Sequence, residues 1–194
     1  MAAVSQDIGW EAALHHPGPW TEEDFDRLPE GLRAELHYGR LILTPSASNS
    51  HNNAARRLAM ILEESVEETD QVGTDVDVRL ADGEIYYRPD AFVLRTPAKG
   101  RPLPGEDLLL VVEVISPGGG KEFRQKMADY AEAGVPAYLI LKEETAGFAA
   151  TLYLLRDDAY VLAEKVAPGG VLDLREPIEC SIDLARLEGR RRTS

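Results

Sequence analysis

Three residues in this chain have the types and the spacing to do chemistry together: Asp90, Glu113 and Lys126. Glu113 interrupts the aliphatic run Leu108 to Ile115, which reads L-L-L-V-V-E-V-I and has the look of a strand buried on both faces. An ionised carboxylate there costs several kcal/mol, roughly, unless a cation or a proton meets it. Asp90 follows Pro89 inside a second strand and shares parity with Phe92 and Leu94, so its side chain is expected to point toward the core. Two carboxylates on neighbouring buried strands repel, and a divalent cation between them removes that cost while supplying a Lewis acid. Phosphodiester hydrolysis uses such a pair, with a nearby positive charge for the developing negative charge. Lys126, on the following helix, is placed to supply that charge or to position the attacking water. Spacing alone leaves a second reading equally open: a buried Glu113–Lys126 ion pair, with Asp90 an exposed strand end.

The elements that must hold these groups follow from local pattern. Thr21, with Glu22, Glu23 and Asp24 in the first turn, starts a short helix that Pro29 ends. Residues 34–43 form a hairpin about Gly39, closed by Pro45, with Glu35 in its first strand. Ser48, Asn49 and Ser50 are N-cap residues for a helix whose inward stripe is Ala54, Ala55, Leu58, Ile61 and Leu62. His51 falls on that stripe. Residues 72–80 alternate, with Val76, Val78 and Leu80 inward and Asp75, Asp77 and Arg79 outward. They pair as an antiparallel hairpin with a strand over 85–94, in which Pro89 marks a bulge or an edge.

Pro117 and the triplet Gly118-Gly119-Gly120 close the strand of Glu113, and a helix over 122–133 follows. Glu122 stands four residues before Lys126 as a favourable pair, and Gly134 caps the helix. Residues 137–141 form a strand parallel to that of Glu113, joined through the helix as a crossover. The remainder, 150–155, 160–166 and 171–174, reads as a meander, with Asp183 capping a last turn at 184–187.

Composition narrows the function classes. The 194 residues are 44% apolar and 28% charged, as expected for one globular domain. No run is long enough for a membrane span, no secretion signal is legible at Met1 to Gln6, and the lone Cys180 fits a reducing compartment. A cytoplasmic protein with no membrane partner is expected. His15 and His16 are adjacent and do not share a helix face, so no metal pair is expected there. Lys and Arg number 21 against 34 Asp and Glu, a net charge of −13 that does not favour diffuse nucleic-acid binding. Basic residues cluster locally, in the loop Arg95, Lys99 and Arg101 and in the tail Arg186, Arg190, Arg191 and Arg192.

The order P-D (Pro89-Asp90), E-V-x-S-P (Glu113 to Pro117) and K-x-x-x-Y-x-x-A-G-V-P (Lys126 to Pro136) resembles the Uma-type endonuclease family. That family lies within the PD-(D/E)XK nuclease superfamily. Ala34-Glu35-Leu36, Gly39, Pro45 and His51 support the likeness, which covers about residues 21–187. The resemblance implies an α/β restriction-endonuclease-like core, a central mixed β-sheet flanked by helices, over 21–188, between an N-terminal arm (1–20) and a basic tail (189–194).

It further implies an Mg²⁺ or Mn²⁺ site held by Asp90, Glu113 and the Ile115 carbonyl. Asp90, Glu113 and Lys126 become the catalytic set, with Glu35, His51 and Glu122 in support. The superfamily's lysine would stand at Ile115, and Lys126 on the next helix takes its place. DNA is the expected substrate, with weaker contacts from Arg95, Lys99, Arg101, Lys121 and Arg124. The alternatives are a catalytically silent module binding nucleic acid or protein, and a hydrolase of smaller phosphodiesters. An open edge among the C-terminal strands admits a homodimer.

Overall fold

Caps and turns start the chain as its residues dictate. The structure, a computed structural model, describes residues 15–29, 31–44, 46–116 and 123–188. Pro45, Pro117, the glycine triplet, Lys121, Glu122 and Arg190 to Arg192 lie outside those residues. Thr21 closes a capping box with Asp24 ahead of α1 (Glu22–Asp26). Phe25 from this short helix packs on Tyr86, ring centroids 4.8 Å apart. The hairpin of β1 (Ala34–His37) and β2 (Arg40–Leu43) turns at Tyr38 and Gly39, both with positive φ, the geometry that matches strand twist. The Ser48 hydroxyl accepts the His51 N–H at 3.1 Å and opens α2 (Asn49–Glu63), which buries His51 along with the expected aliphatic stripe.

The second hairpin is where the structure departs from expectation. In place of two continuous strands the chain forms β3 (Gln71–Gly73), β4 (Val78–Leu80), β5 (Ile85–Tyr87) and β6 (Ala91–Leu94). The pairing is antiparallel as expected, and stepping from Val78↔Tyr87 to Gly73↔Phe92 keeps one register without a slip. Yet β4 and β5 belong to one sheet, and β3 and β6 to another. Pro89 has no N–H to continue a ladder. Across from it Asp75 takes a φ of 57° and donates its N–H to the Pro89 carbonyl at 3.2 Å. Both strands therefore bend at the same level, and one long hairpin serves two sheets.

After β7 (Leu103–Pro104) come β8 (Leu108–Ile115), α3 (Phe123–Glu132) and β9 (Ala137–Glu144), with β8 and β9 parallel as expected of a crossover. Gly134, at φ 76°, follows α3 as the left-handed cap. β10 (Gly147–Arg156) and β11 (Ala159–Val166) extend the sheet antiparallel. The expected meander stops there. β12 (Val171–Leu174) pairs instead with β13 (Cys180–Asp183), a strand the sequence pattern did not reveal. Asp183 does cap the closing turn, accepting from the Ala185 N–H.

The result is a mixed six-stranded sheet, ordered β11-β10-β9-β8-β6-β3, beside a five-stranded sheet ordered β2-β1-β5-β4-β7. Side chains alternate across the six-stranded sheet. Val93, Leu110 and Val112 pack with Ala54 and Leu58 of α2, while Phe92, Val111 and Tyr138 pack with Tyr130 of α3. The mixed sheet flanked by helices is the α/β architecture expected. No helix among the described residues is long and apolar enough to cross a membrane.

Candidate active site

The site forms where the two sheets part. β6 begins at Ala91, paired with Val112, so Asp90 stands just beyond the end of its ladder. Its N–H donates to the Val112 carbonyl at 3.1 Å. One carboxylate oxygen accepts the Val114 N–H at 2.7 Å, completing the ladder with a side chain where a strand would have offered a carbonyl. The other lies 2.7 Å from His51 Nε2, on α2. Strand parity would have sent Asp90 with Phe92 toward α3. The bend at Pro89 instead re-aims it into the plane of the sheet and toward α2. Because an ionised carboxylate only accepts, the His51 ring nitrogen is the donor in this contact.

Glu113 shares the face of Val111 and Ile115, toward α3. Lys126 sits one α-helical turn into that helix, and its Nζ donates to Glu113 Oε1 at 3.1 Å and to Glu35 Oε1 at 2.7 Å. The Arg88 N–H also reaches Glu35 Oε1, at 3.3 Å. Lys126 is 13% exposed, Glu113 12% and Glu35 7%. Glu35 comes from β1 in the five-stranded sheet and Glu113 from β8 in the six-stranded one, so the ammonium ties the two sheets together. The Tyr87 ring lies under Lys126 Nζ, 5.2 Å from its centroid, a cation–π contact. Tyr87 in turn donates its hydroxyl to the buried Asp129, which also receives Gln125 at 3.1 Å.

Charge at this point is unbalanced: Glu35 and Glu113 share one ammonium, and Asp90 adds a third carboxylate near Glu113. Burial pushes the Glu113 carboxyl up to about 8; Asp90 and Glu35 push the same way, and Lys126 only partly opposes them. Burial also works against the charge on Lys126, but Glu113 and Glu35 outweigh it, so the ammonium holds its proton above the usual lysine range. Lys126 is thus a fixed cation and not a base.

The donor set suits a hard divalent cation, being oxygen only: Asp90, Glu113 and the carbonyl of Ile115 at the end of β8. The excess of carboxylate over ammonium is the charge such a cation offsets. Among the described residues no three His, Cys, Asp or Glu side chains already form a ligand cluster.

The remaining expected residues divide. Glu35 and His51 adjoin the central three as expected, while Glu122 and Lys121 lie outside the described residues. Arg124 is exposed on α3 two residues before Lys126. Arg95 and Lys99 are exposed beyond the far end of β6, and Arg95 lies about 17 Å along the strand from Asp90. Arg101 folds back to Asp77, at 3.7 Å.

Asp77 was expected to face outward. It is buried, held by Arg88 Nε at 2.7 Å. Asp77, Tyr87 and Asp129 were missed as supports of the site. Their signal was a polar group beside motif residues, Arg88 ahead of Pro89-Asp90 and Asp129 one turn after Lys126.

Comparison with known proteins bears on the fold and the family. A solved structure from Anabaena variabilis ATCC 29413, described as "a putative nuclease belonging to DUF820", is similar with a TM-score of 0.65. The likeness covers 87% of this chain and 97% of that one, at 14% sequence identity, and so speaks to the fold. No curated protein matches the chain. Residues 22–186 match the Uma2 family, whose description is "Putative restriction endonuclease". That span takes in α1, both sheets and every member of the cluster around Glu113, and the chain belongs to the Uma2 family.

Proposed function

We propose that this protein is a metal-dependent endonuclease that hydrolyses DNA phosphodiester bonds with Asp90, Glu113 and Lys126. The observation that carries the reading is the Lys126 ammonium bridging Glu35 and Glu113, one residue along β8 from the N–H that holds Asp90. Asp90, Glu113 and the Ile115 carbonyl would hold Mg²⁺ or Mn²⁺, which when bound acidifies water and screens the phosphate charge.

The chain's own residues do the rest. Lys126, kept protonated, offers a fixed positive charge to the phosphate oxygens as negative charge develops. Glu35 and Tyr87 hold its stem and head, so that little reorganisation is needed at the moment of reaction. His51 and the Val114 N–H fix the plane of the Asp90 carboxylate, the orienting role that outer partners play at metal sites. Glu113 would give up its proton to hold such a cation, so filling the site would release a proton.

The test is incubation with single-stranded, double-stranded and branched DNA in Mg²⁺, in Mn²⁺ and in chelator, with Glu113→Gln in parallel. Cleavage that needs the metal and disappears in the variant is the expected outcome. Cleavage indifferent to both would refute the assignment. Metal binding by calorimetry without cleavage of any DNA would point instead to smaller phosphodiesters. No metal binding at all would leave a silent binding module.

A further inference from the structure

We propose that the cleft between α2 and the turn at Thr74 and Asp75 is a phosphate-binding subsite for the substrate strand, built on Arg33 and Arg56. The proposal rests on the nuclease reading and extends it from the reacting centre to the chain's grip on the polyanion. The cleft has a volume of about 190 Å³ and is lined by Arg33, Asn52, Arg56, Thr74, Asp75 and Asp90. That is room for several waters or for one phosphate group. One wall is Asp90 itself, so a phosphate held here neighbours the one at the reacting centre.

The two guanidiniums differ in a useful way. Arg33 is clamped to Asp75 by both terminal nitrogens, at 3.0 and 2.8 Å, which fixes its plane, and its Nε is buried without a partner. Arg56 is exposed, and among the described residues its guanidinium donates only to the Met60 sulfur, at 3.5 Å. In a chain with 34 acidic residues against 21 basic, a guanidinium beside the site with no carboxylate partner is a cation kept for something else.

Asn52 lies one turn before Arg56 on the same side of α2 and adds an amide donor. The first turn of α2 carries no acidic residue of its own, though Glu143 meets Ser50 there and His51 in that turn touches Asp90. The facing carboxylates are already placed: Asp75 is paired with Arg33, and Asp90, held by His51 and the Val114 N–H, faces the proposed cation, which leaves Arg56 as the cleft's available charge. The cleft thus answers how a protein of net charge −13 holds a polyanion: through one local grip and not through its overall field.

The experiment compares wild type, Arg56→Gln, Asn52→Ala and Lys165→Gln, using a short labelled oligonucleotide, single-stranded and as a duplex. Binding is followed by fluorescence anisotropy across a salt series, and steady-state cleavage is measured in Mg²⁺. Arg56 is exposed, so melting temperature is expected to stay within error of wild type. Arg56→Gln should weaken binding several-fold and lower the slope of log affinity against log salt by about one. Its KM should rise while kcat holds, the signature of an interaction equal in ground and transition states. Asn52→Ala should move the same way by less, and Lys165→Gln, exposed on β11 at the opposite edge of the six-stranded sheet, should change neither.

Equal losses in Arg56→Gln and Lys165→Gln would show diffuse attraction and overturn the subsite. Cleavage by wild type with unchanged KM in Arg56→Gln would overturn the subsite while leaving the nuclease intact. A wild type that neither binds nor cleaves in the presence of metal would remove the nuclease reading, and the subsite with it.

Discussion

Replacing Glu113 by Gln should change how the metal-free protein responds to pH more than it changes the protein at any one pH. A carboxyl of ordinary environment ionises near 4.5, whereas Glu113 in the folded chain keeps its proton to about 8. Between those values the unfolded chain has released a proton that the native chain retains, so raising the pH favours unfolding. The stability held by the protonated group is complete below about 4.5, declines through neutrality and is gone above about 8. Three and a half pH units at about 1.4 kcal/mol each come to about 5 kcal/mol, a large share of a domain's usual 5–15 kcal/mol. Lys126 adds no slope in this window, because both its ordinary and its raised values lie above it. Glutamine keeps the shape and the oxygen that accepts from Lys126 but cannot ionise. Urea unfolding of wild type and Glu113→Gln, in chelator, at steps of pH from about 5 to 8.5 reads the difference directly. Wild type should lose about 4 kcal/mol of stability relative to the variant across the series, most of the full difference. Saturating Mg²⁺ at the alkaline end should restore wild type and not the variant. Parallel curves for the two proteins would refute the retention of a proton on buried Glu113.

Other perturbations test neighbouring parts. Lys126→Met leaves Glu35 and Glu113 buried without their cation and should cost about 3–5 kcal/mol in chemical denaturation, besides abolishing cleavage. His51→Ala frees one oxygen of Asp90 and should lower metal affinity, measured by calorimetry, about 10- to 100-fold with the fold retained by circular dichroism. Tyr87→Phe keeps the ring under Lys126 but removes a donor from buried Asp129; a loss of about 1–3 kcal/mol in urea unfolding is expected. Ser48→Ala should cost about 1 kcal/mol through the lost cap of α2, seen as a lower melting temperature.

Much of this was legible in residue order because it depends on neighbours along the chain. Thr21 and Ser48 cap their helices, Tyr38 and Gly39 turn the first hairpin, and the apolar stripe of α2 carries His51 inward, each through contacts a few residues apart. The parallel pairing of β8 and β9 followed from the helix between them.

What escaped was decided by partners far off in sequence. Alternation over 72–80 and 85–94 gave the right pairing, but it cannot say that the upper half of a hairpin joins one sheet and the lower half another. The outward reading of Asp77 failed for the same reason: its burial is licensed by Arg88, eleven residues away and across the bend. Asp90 illustrates the limit most plainly. Its presence at the site could be read from Pro89-Asp90, but its direction could not, because the bend overrides strand parity. β13 escaped as well, since four residues, Cys180 to Asp183, are too short a run for their alternation to stand out in the sequence.

The shared hairpin has a consequence for how this protein tolerates change. Since β5 and β6 are two lengths of one strand, the interval at Arg88 to Asp90 is a seam that no side-chain substitution elsewhere can widen or close. A residue at position 89 with a free N–H and a taste for extended backbone would invite the ladder to run through, and the Val114 N–H would then find a main-chain carbonyl in place of the Asp90 carboxylate. The molecule would gain pairing and lose the proposed centre together. Selection for sturdiness and selection for activity pull in opposite directions at this one proline, and laboratory evolution for heat resistance alone would be expected to erode activity there first.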